Sequence, residues 1–114
     1  MLLRVFKSGL ETAVVTLRSQ KEKAIEFRKM HQSGDILVLP NAWDVPSARI
    51  FEQAGFPAIG TSSAAIAISL GYPDGQKITR DEMLQVVERI AKSVSVPVTA
   101  DVEAGLWRKC NYRC

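Results

Sequence analysis

Two carboxylates, Asp101 and Glu103, close an apolar run that reads Val96-Pro97-Val98-Thr99-Ala100-Asp101-Val102-Glu103-Ala104-Gly105. Val96, Val98 and Ala100 are small and apolar and Thr99 is β-branched, so the run suits a strand covered on both faces. Spaced two apart, Asp101 and Glu103 point to one side if the segment stays extended. Like charges so placed repel unless a cation or a shared proton sits between them. A hard divalent cation fits, because Mg²⁺ takes one or two carboxylates and completes its shell with waters and substrate oxygens. Two solvated acids in a turn are the alternative use of the same pair.

Polar residues recur at two earlier points of the same kind. Asn41 and Asp44 follow the apolar run Ile36–Pro40, and Ser62 and Ser63 follow Phe56–Gly60. Small hydroxyl residues opening a short helix suit a carboxylate or phosphate, although a serine N-cap on a packed helix is their commoner use. His31 falls in the last turn of a helix and reads as structural. Cys110 and Cys114 are the only cysteines and His31 the only histidine, which is too few ligands for a zinc site. Without a disulfide framework the chain is expected in a reducing cytoplasm.

Those strand ends need elements to position them. Ser19-Gln20-Lys21-Glu22 has capping-box spacing and starts a helix that Gly34 and Asp35 close. A buried strand follows over Ile36–Pro40. Asp44 caps the helix Val45–Ala54, with Pro46 in its first turn, Gly55 as its stop, and Ala48, Ile50 and Phe51 on its buried side. Phe56–Gly60 is a short second strand, and Ile66–Leu70 a short apolar segment. Thr79-Arg80-Asp81-Glu82 starts another helix with Met83, Leu84, Val87 and Ile90 inward. Val94–Asp101 is the third strand, and a looser helix is expected over Leu10–Arg18. Strands separated by helices imply a parallel sheet with right-handed crossovers, and such sheets bind ligands at the C-terminal ends of their strands.

Charge adds little to the list of partners. The formal net charge is +3, but Arg4, Lys7 and Arg18 against Glu11 leave residues 1–18 at +2, and Arg108, Lys109 and Arg113 put residues 106–114 at +3. Residues 19–105, with nine basic and eleven acidic side chains, are mildly acidic. A basic stripe across a folded face, the footprint of a nucleic-acid binder, is not expected. No run approaches the ~18 apolar residues of a membrane helix.

Four segments together resemble the N-terminal part of the isocitrate lyase/phosphoenolpyruvate mutase superfamily. They are Leu37-Val38-Leu39-Pro40-Asn41-Ala42-Trp43-Asp44, Gly60-Thr61-Ser62-Ser63-Ala64, Ser69-Leu70-Gly71-Tyr72-Pro73-Asp74 and Thr99-Ala100-Asp101-Val102-Glu103-Ala104-Gly105. The resemblance covers residues 19–105 and is strongest to methylisocitrate-lyase-like and phosphonomutase-like members. It implies an α/β fold, the leading helix and first three βα units of a (β/α)₈ barrel. It also implies Mg²⁺, or Mn²⁺ in its place, and a small 2-oxo or 2-hydroxy acid substrate cleaved or joined at a C–C or P–C bond through an enolate. By the same resemblance Asp101 is a direct metal ligand and Glu103 holds the metal through water. Asp74 is an acidic catalytic residue beside them. Ser62, Ser63 and Ala64 hold the substrate carboxylate and enol oxygen, and Trp43 and Asp44 line the pocket. A homo-oligomer is implied for a full-length barrel.

The family pattern continues after Gly105 with Tyr-Gly and five more strands, whereas this chain reads Leu106-Trp107-Arg108-Lys109-Cys110-Asn111-Tyr112-Arg113-Cys114. That tail reads as a shifted frame or a false gene end, and residues 1–18 as an upstream extension. A full barrel takes roughly 250 residues. The expectation is therefore a truncated copy, inactive as this short chain. A non-catalytic half-barrel that binds a protein partner through its open edge is the alternative.

Overall fold

The computed structural model describes residues 19–75 and 77–103. The expected helix over residues 10–18, the tail after Gly105 and both cysteines lie outside the described residues. In chain order the elements are α1 (Gln20–Gln32), β1 (Asn41–Ala42), α2 (Val45–Gln53), β2 (Ile59–Thr61), α3 (Ser63–Ser69), α4 (Arg80–Ser93) and β3 (Val98–Thr99). The three strands form one parallel sheet in the order β1-β2-β3. Asn41 and Ala42 pair with Gly60 and Thr61, and Ile59 and Gly60 with Val98 and Thr99. All three strands therefore present their C-terminal ends on one side.

Local chemistry sets the helix starts. Ser19 and Glu22 close the expected capping box, with Glu22 N donating to Ser19 Oγ and Ser19 N to Glu22 Oε2. Thr79 and Glu82 do the same for α4, and Asp44 and Ser47 for α2, where Pro46 sits in the first turn. Each cap occupies amide donors that a helix terminus leaves without intrahelical partners. Gly55, at φ +93°, turns the chain out of α2 in a left-handed conformation that a side chain would strain.

Helix α2 packs on β1 and β2 and against α4, which also packs on α3. One apolar cluster joins Ala42, Ala48, Ile59, Ile90 and Val94, flanked by Phe51, Val96 and Val98. A second joins Ile66, Ala67, Ile78 and Met83, and Val86 of α4 touches both. Two polar ties reinforce the frame. Lys23 Nζ donates to the Val94 carbonyl at 3.1 Å, and Ser95 donates both its N–H and its hydroxyl to Glu52 Oε1. His31 keeps a structural place, its Nδ1 2.8 Å from the Phe27 carbonyl and its ring edge-on to Phe27.

Three expectations are corrected. Ile36–Pro40 is not a buried strand: pairing begins at Asn41, and Ile36 and Val38 are 93% and 58% exposed. Among the described residues no strand pairs with the outer edge of β1, so the apolar character of the run is not matched by cover. The second strand is shorter and later than its apolar run and the third is a short stretch inside its run, because hydrogen bonding reaches only the residues whose neighbours are in register. Ile50 and Leu84 are exposed, and Ser47 takes the inward place on α2.

Candidate functional site

Thr61 ends β2 and Ser62 and Ser63 lead directly into α3, so three hydroxyls stand at one strand end. Their duties differ. Ser62 Oγ accepts from Ala65 N at 3.2 Å and is the helix cap. Its backbone N–H donates to the Ala42 carbonyl at 3.0 Å, linking the ends of β1 and β2. Ser63 Oγ donates to Asp101 Oδ2 at 2.7 Å, and Thr61 Oγ1 accepts from Asp101 N at 3.1 Å. The end of β2 is thereby joined to the segment after β3.

Asp101 itself is exposed, with Glu103 N donating to its Oδ1 at 3.0 Å. That N–H, then the Ser63 hydroxyl, and to a lesser degree the Ser63 N–H, hold its carboxyl below the ordinary aspartate value against a smaller opposing effect of burial. Donors that favour the charged form act in this direction. Asp101 is therefore an anion at neutral pH with a fixed orientation.

Glu103 does not stand where an extended strand would put it. Its φ of +52° turns the chain, and its N–H folds back onto Asp101. The premise that both carboxylates point to one side of a continuous strand is corrected, since β3 ends at Thr99. Asx-type turns follow from a short aspartate side chain reaching the amide two residues on.

Trp43 and Asp44 follow β1 as expected, but Asp44 is engaged in capping. Its Oδ1 accepts from Ser47 N at 2.8 Å, while Trp43 N and Asp44 N both donate to Ser47 Oγ. Trp43 is 40% exposed. Asp74 is exposed and accepts from Gly75 N at 2.8 Å. Its loop is fastened at both ends by one carboxylate: Glu82 accepts from the Tyr72 hydroxyl at 2.7 Å and from the Thr79 hydroxyl at 2.6 Å. Those bonds, the one from Thr79 first, lower the Glu82 pKa, and the bond to Glu82 raises that of Tyr72. Ala64 occupies the first turn of α3. The structure thus joins Ser63, Thr61, Asp101 and Glu103 by hydrogen bonds, and sets Asp74, Trp43 and Asp44 in separate local networks.

Sequence reasoning offers Glu82 only as part of a helix start and does not single out Thr61, Ser47 or Tyr72 as site residues. Spacing carries a signal for Ser47, three residues after Asp44, and for Glu82 as a capping partner. The contacts of Thr61 with residue 101 and of Tyr72 with Glu82 span 40 and 10 positions and leave none.

Among the described residues, no group of three or more His, Cys, Asp or Glu side chains is gathered for a metal ion. A site for Mg²⁺ does not require one, because one or two carboxylates with waters suffice. Ser63 Oγ donates to Oδ2 and Glu103 N to Oδ1, and an ionised carboxylate has about four lone-pair sites, so the group retains capacity for a cation. The donor set fits. A shallow groove lined by Glu22, Ile25, Glu26 and Lys29 lies along α1 and includes none of these residues.

Residues 27–111 match the family model for phosphoenolpyruvate phosphomutase. The chain belongs to that family. It is 34% identical over 85 residues to the 2-methylisocitrate lyase of Aeropyrum pernix, covering 75% of this chain and 28% of the relative. It is also similar to the crystal structure of a proposed phosphonomutase from Burkholderia cenocepacia J2315, with a TM-score of 0.72 and 40% identity over 76% of this chain and 35% of the other. The structure of 2,3-dimethylmalate lyase, a member of the PEP mutase/isocitrate lyase superfamily, matches at a TM-score of 0.63 and 32% identity, covering 70% of this chain and 30% of that one. This phosphoenolpyruvate phosphomutase family member therefore spans about a third of the length of the relatives it matches. Among the described residues no helix is long and apolar enough to cross a membrane.

Proposed function

We propose that the chain is the first part, a leading helix and three βα units, of a (β/α)₈ lyase or mutase that binds Mg²⁺. Its substrates would be 2-oxo or 2-hydroxy carboxylic acids, and the reaction would make or break a C–C or P–C bond in the cytoplasm. The observation that carries this reading is the ionised, oriented Asp101 at the C-terminal end of the sheet, joined to Ser63 at the end of the neighbouring strand. In parallel α/β folds that end is where ligands and catalytic groups collect.

Asp101 would be the direct metal ligand, and Glu103 would act through water. The metal, when bound, would supply positive charge where enolate charge develops. The chain's own residues do the rest. Ser63 and Glu103 hold the Asp101 carboxylate in one orientation, and Ser62 fixes the start of α3, whose first-turn segment with Ala64 would face the substrate carboxylate. Asp74, on a loop fastened through Tyr72 and Thr79, would be the acidic catalytic residue beside the metal waters and substrate. Trp43 would close the side of the pocket that follows β1.

Whole-barrel chemistry needs the strands that relatives carry beyond this span, so the 114-residue chain alone would bind but not turn over. Isothermal calorimetry with oxalate, a flat dianion that resembles a pyruvate enolate, tests the reading. Oxalate should bind only with Mg²⁺ present, and pyruvate should not appear from 2-methylisocitrate. Mg²⁺-independent oxalate binding would count against it, and turnover by the purified chain would overturn the inactivity.

The exposed Ile36 and Val38 beside the outer edge of β1 favour a second reading, a non-catalytic half-barrel that pairs with another protein there. It predicts a defined oligomer by light scattering, where the first reading allows a monomer.

A further inference from the structure

Thr61 and Ser63 stand two residues apart at the end of β2, and they are only 2% and 4% exposed. Both hydroxyls are spent on one residue, 40 and 38 positions further along the chain. Thr61 Oγ1 holds the main chain of Asp101 through its N–H, and Ser63 Oγ holds the carboxylate through Oδ2. Ser62, between them, turns the other way to cap α3. Helix capping therefore explains neither buried hydroxyl, and buried polar groups normally have partners that repay their desolvation.

We infer that Thr61 and Ser63 are positioning residues, a two-hydroxyl clamp that sets where the Asp101 carboxylate stands at the end of the sheet. The inference rests on the reading of Asp101 as a metal ligand, although the clamp's geometry does not depend on it. One bond fixes the backbone, so residue 101 cannot shift along the strand direction. The other holds the carboxylate through Oδ2, while Oδ1 accepts from Glu103 N.

A consequence follows for ligand recognition. A serine hydroxyl has one proton and two lone pairs. Ser63 gives its proton to Asp101, so toward a ligand it can only accept. It would take a hydrogen bond from a water or a ligand hydroxyl, and it does not donate to a substrate carboxylate while the clamp is closed. Recognition of that carboxylate then falls to other donors at the strand ends.

The test uses the full chain and the variants S63A, T61V, T61S and D101N. Three-bond couplings report the Asp101 side-chain rotamer, hydrogen exchange reports its amide, and electron paramagnetic resonance reports Mn²⁺ affinity. Wild type should show one Asp101 rotamer, and S63A should average it and weaken Mn²⁺ by about 10–100-fold, the usual effect of losing a group that orients a ligand. T61V should speed exchange of the Asp101 amide, and T61S, which keeps the hydroxyl, should restore it; that rescue separates the hydrogen bond from a general loss of folding. An unchanged rotamer and unchanged Mn²⁺ affinity in S63A, with D101N abolishing binding, would overturn the clamp. If wild type binds no Mn²⁺, the metal reading fails, and the rotamer of Asp101 in S63A alone decides the clamp: averaging upholds it and a fixed rotamer overturns it.

Discussion

Ile59→Ala tests the packing that holds the site. Ile59 is completely buried in the central strand, among Ala42, Ala48, Ile90 and Val94, and two residues further on that strand delivers Thr61. The substitution removes three carbons from a sealed position. At about 0.8 kcal/mol for each buried methylene, the transfer loss is roughly 2.4 kcal/mol. Incomplete collapse of the cavity adds more, and measured isoleucine-to-alanine losses run about 2–5 kcal/mol. An estimate of about 3.5 kcal/mol is a large part of the roughly 5–15 kcal/mol that stabilises a domain. Ile50 supplies the control, because it is 62% exposed on α2 and its truncation should cost under about 0.5 kcal/mol. Urea unfolding followed by circular dichroism should move the Ile59→Ala midpoint down by more than about 1 M at an unchanged slope. A loss under 1 kcal/mol, or an Ile50→Ala loss equal to it, would refute this account of the core.

Three further outcomes are expected. Asp101 has its pKa lowered in the folded chain, so its contribution to stability is complete above the ordinary aspartate value and is lost as pH falls through the folded value; D101N should flatten that acid limb in urea midpoints measured across it. Tyr72→Phe removes a donor from Glu82, so the Glu82 carboxyl should titrate at a higher pH by carbon-detected NMR, while the Thr79 bonds keep it below the ordinary glutamate value. Glu52→Ala leaves the Ser95 N–H without its acceptor and should cost about 1–3 kcal/mol in thermal or urea unfolding, whereas Glu88→Ala on the exposed face of α4 should leave the unfolding midpoint nearly unchanged.

What the sequence made legible was local. The Ser19–Glu22 and Thr79–Glu82 boxes, the Asp44 cap and the Gly55 stop each depend on residues within a few positions of one another, and all four appear where their spacing put them. The alternation of helices and strands, and with it the parallel sheet, follows from the same signals. Burial was less legible because it depends on what lies opposite. Ile36 and Val38 have the composition of a core strand, yet the described residues supply nothing to pair beyond β1. Ile50 and Leu84 fit helical spacing but fall on the outer side of α2 and α4, since the inward stripe of α2 runs through Ser47, Ala48 and Phe51.

At the site, Asp101 could be picked out as a carboxylate at a strand end, but not its partners. The Ser63 and Thr61 bonds join two strands across the sheet, and nothing in the spacing of a single chain marks which of three adjacent hydroxyls turns toward residue 101. At Glu103 it is the extended backbone that fails, since its φ is +52°. The aspartate two residues earlier accepts from its N–H, and the chain turns there instead of running on as a strand.

The most direct test of the central claim is a Mn²⁺ titration of the purified chain followed by water proton relaxation, with D101N measured beside it. The account predicts one saturable site in wild type, displaced by Mg²⁺, and none in D101N of unchanged fold. Equal binding by the two proteins, or no saturable site in wild type, would contradict it.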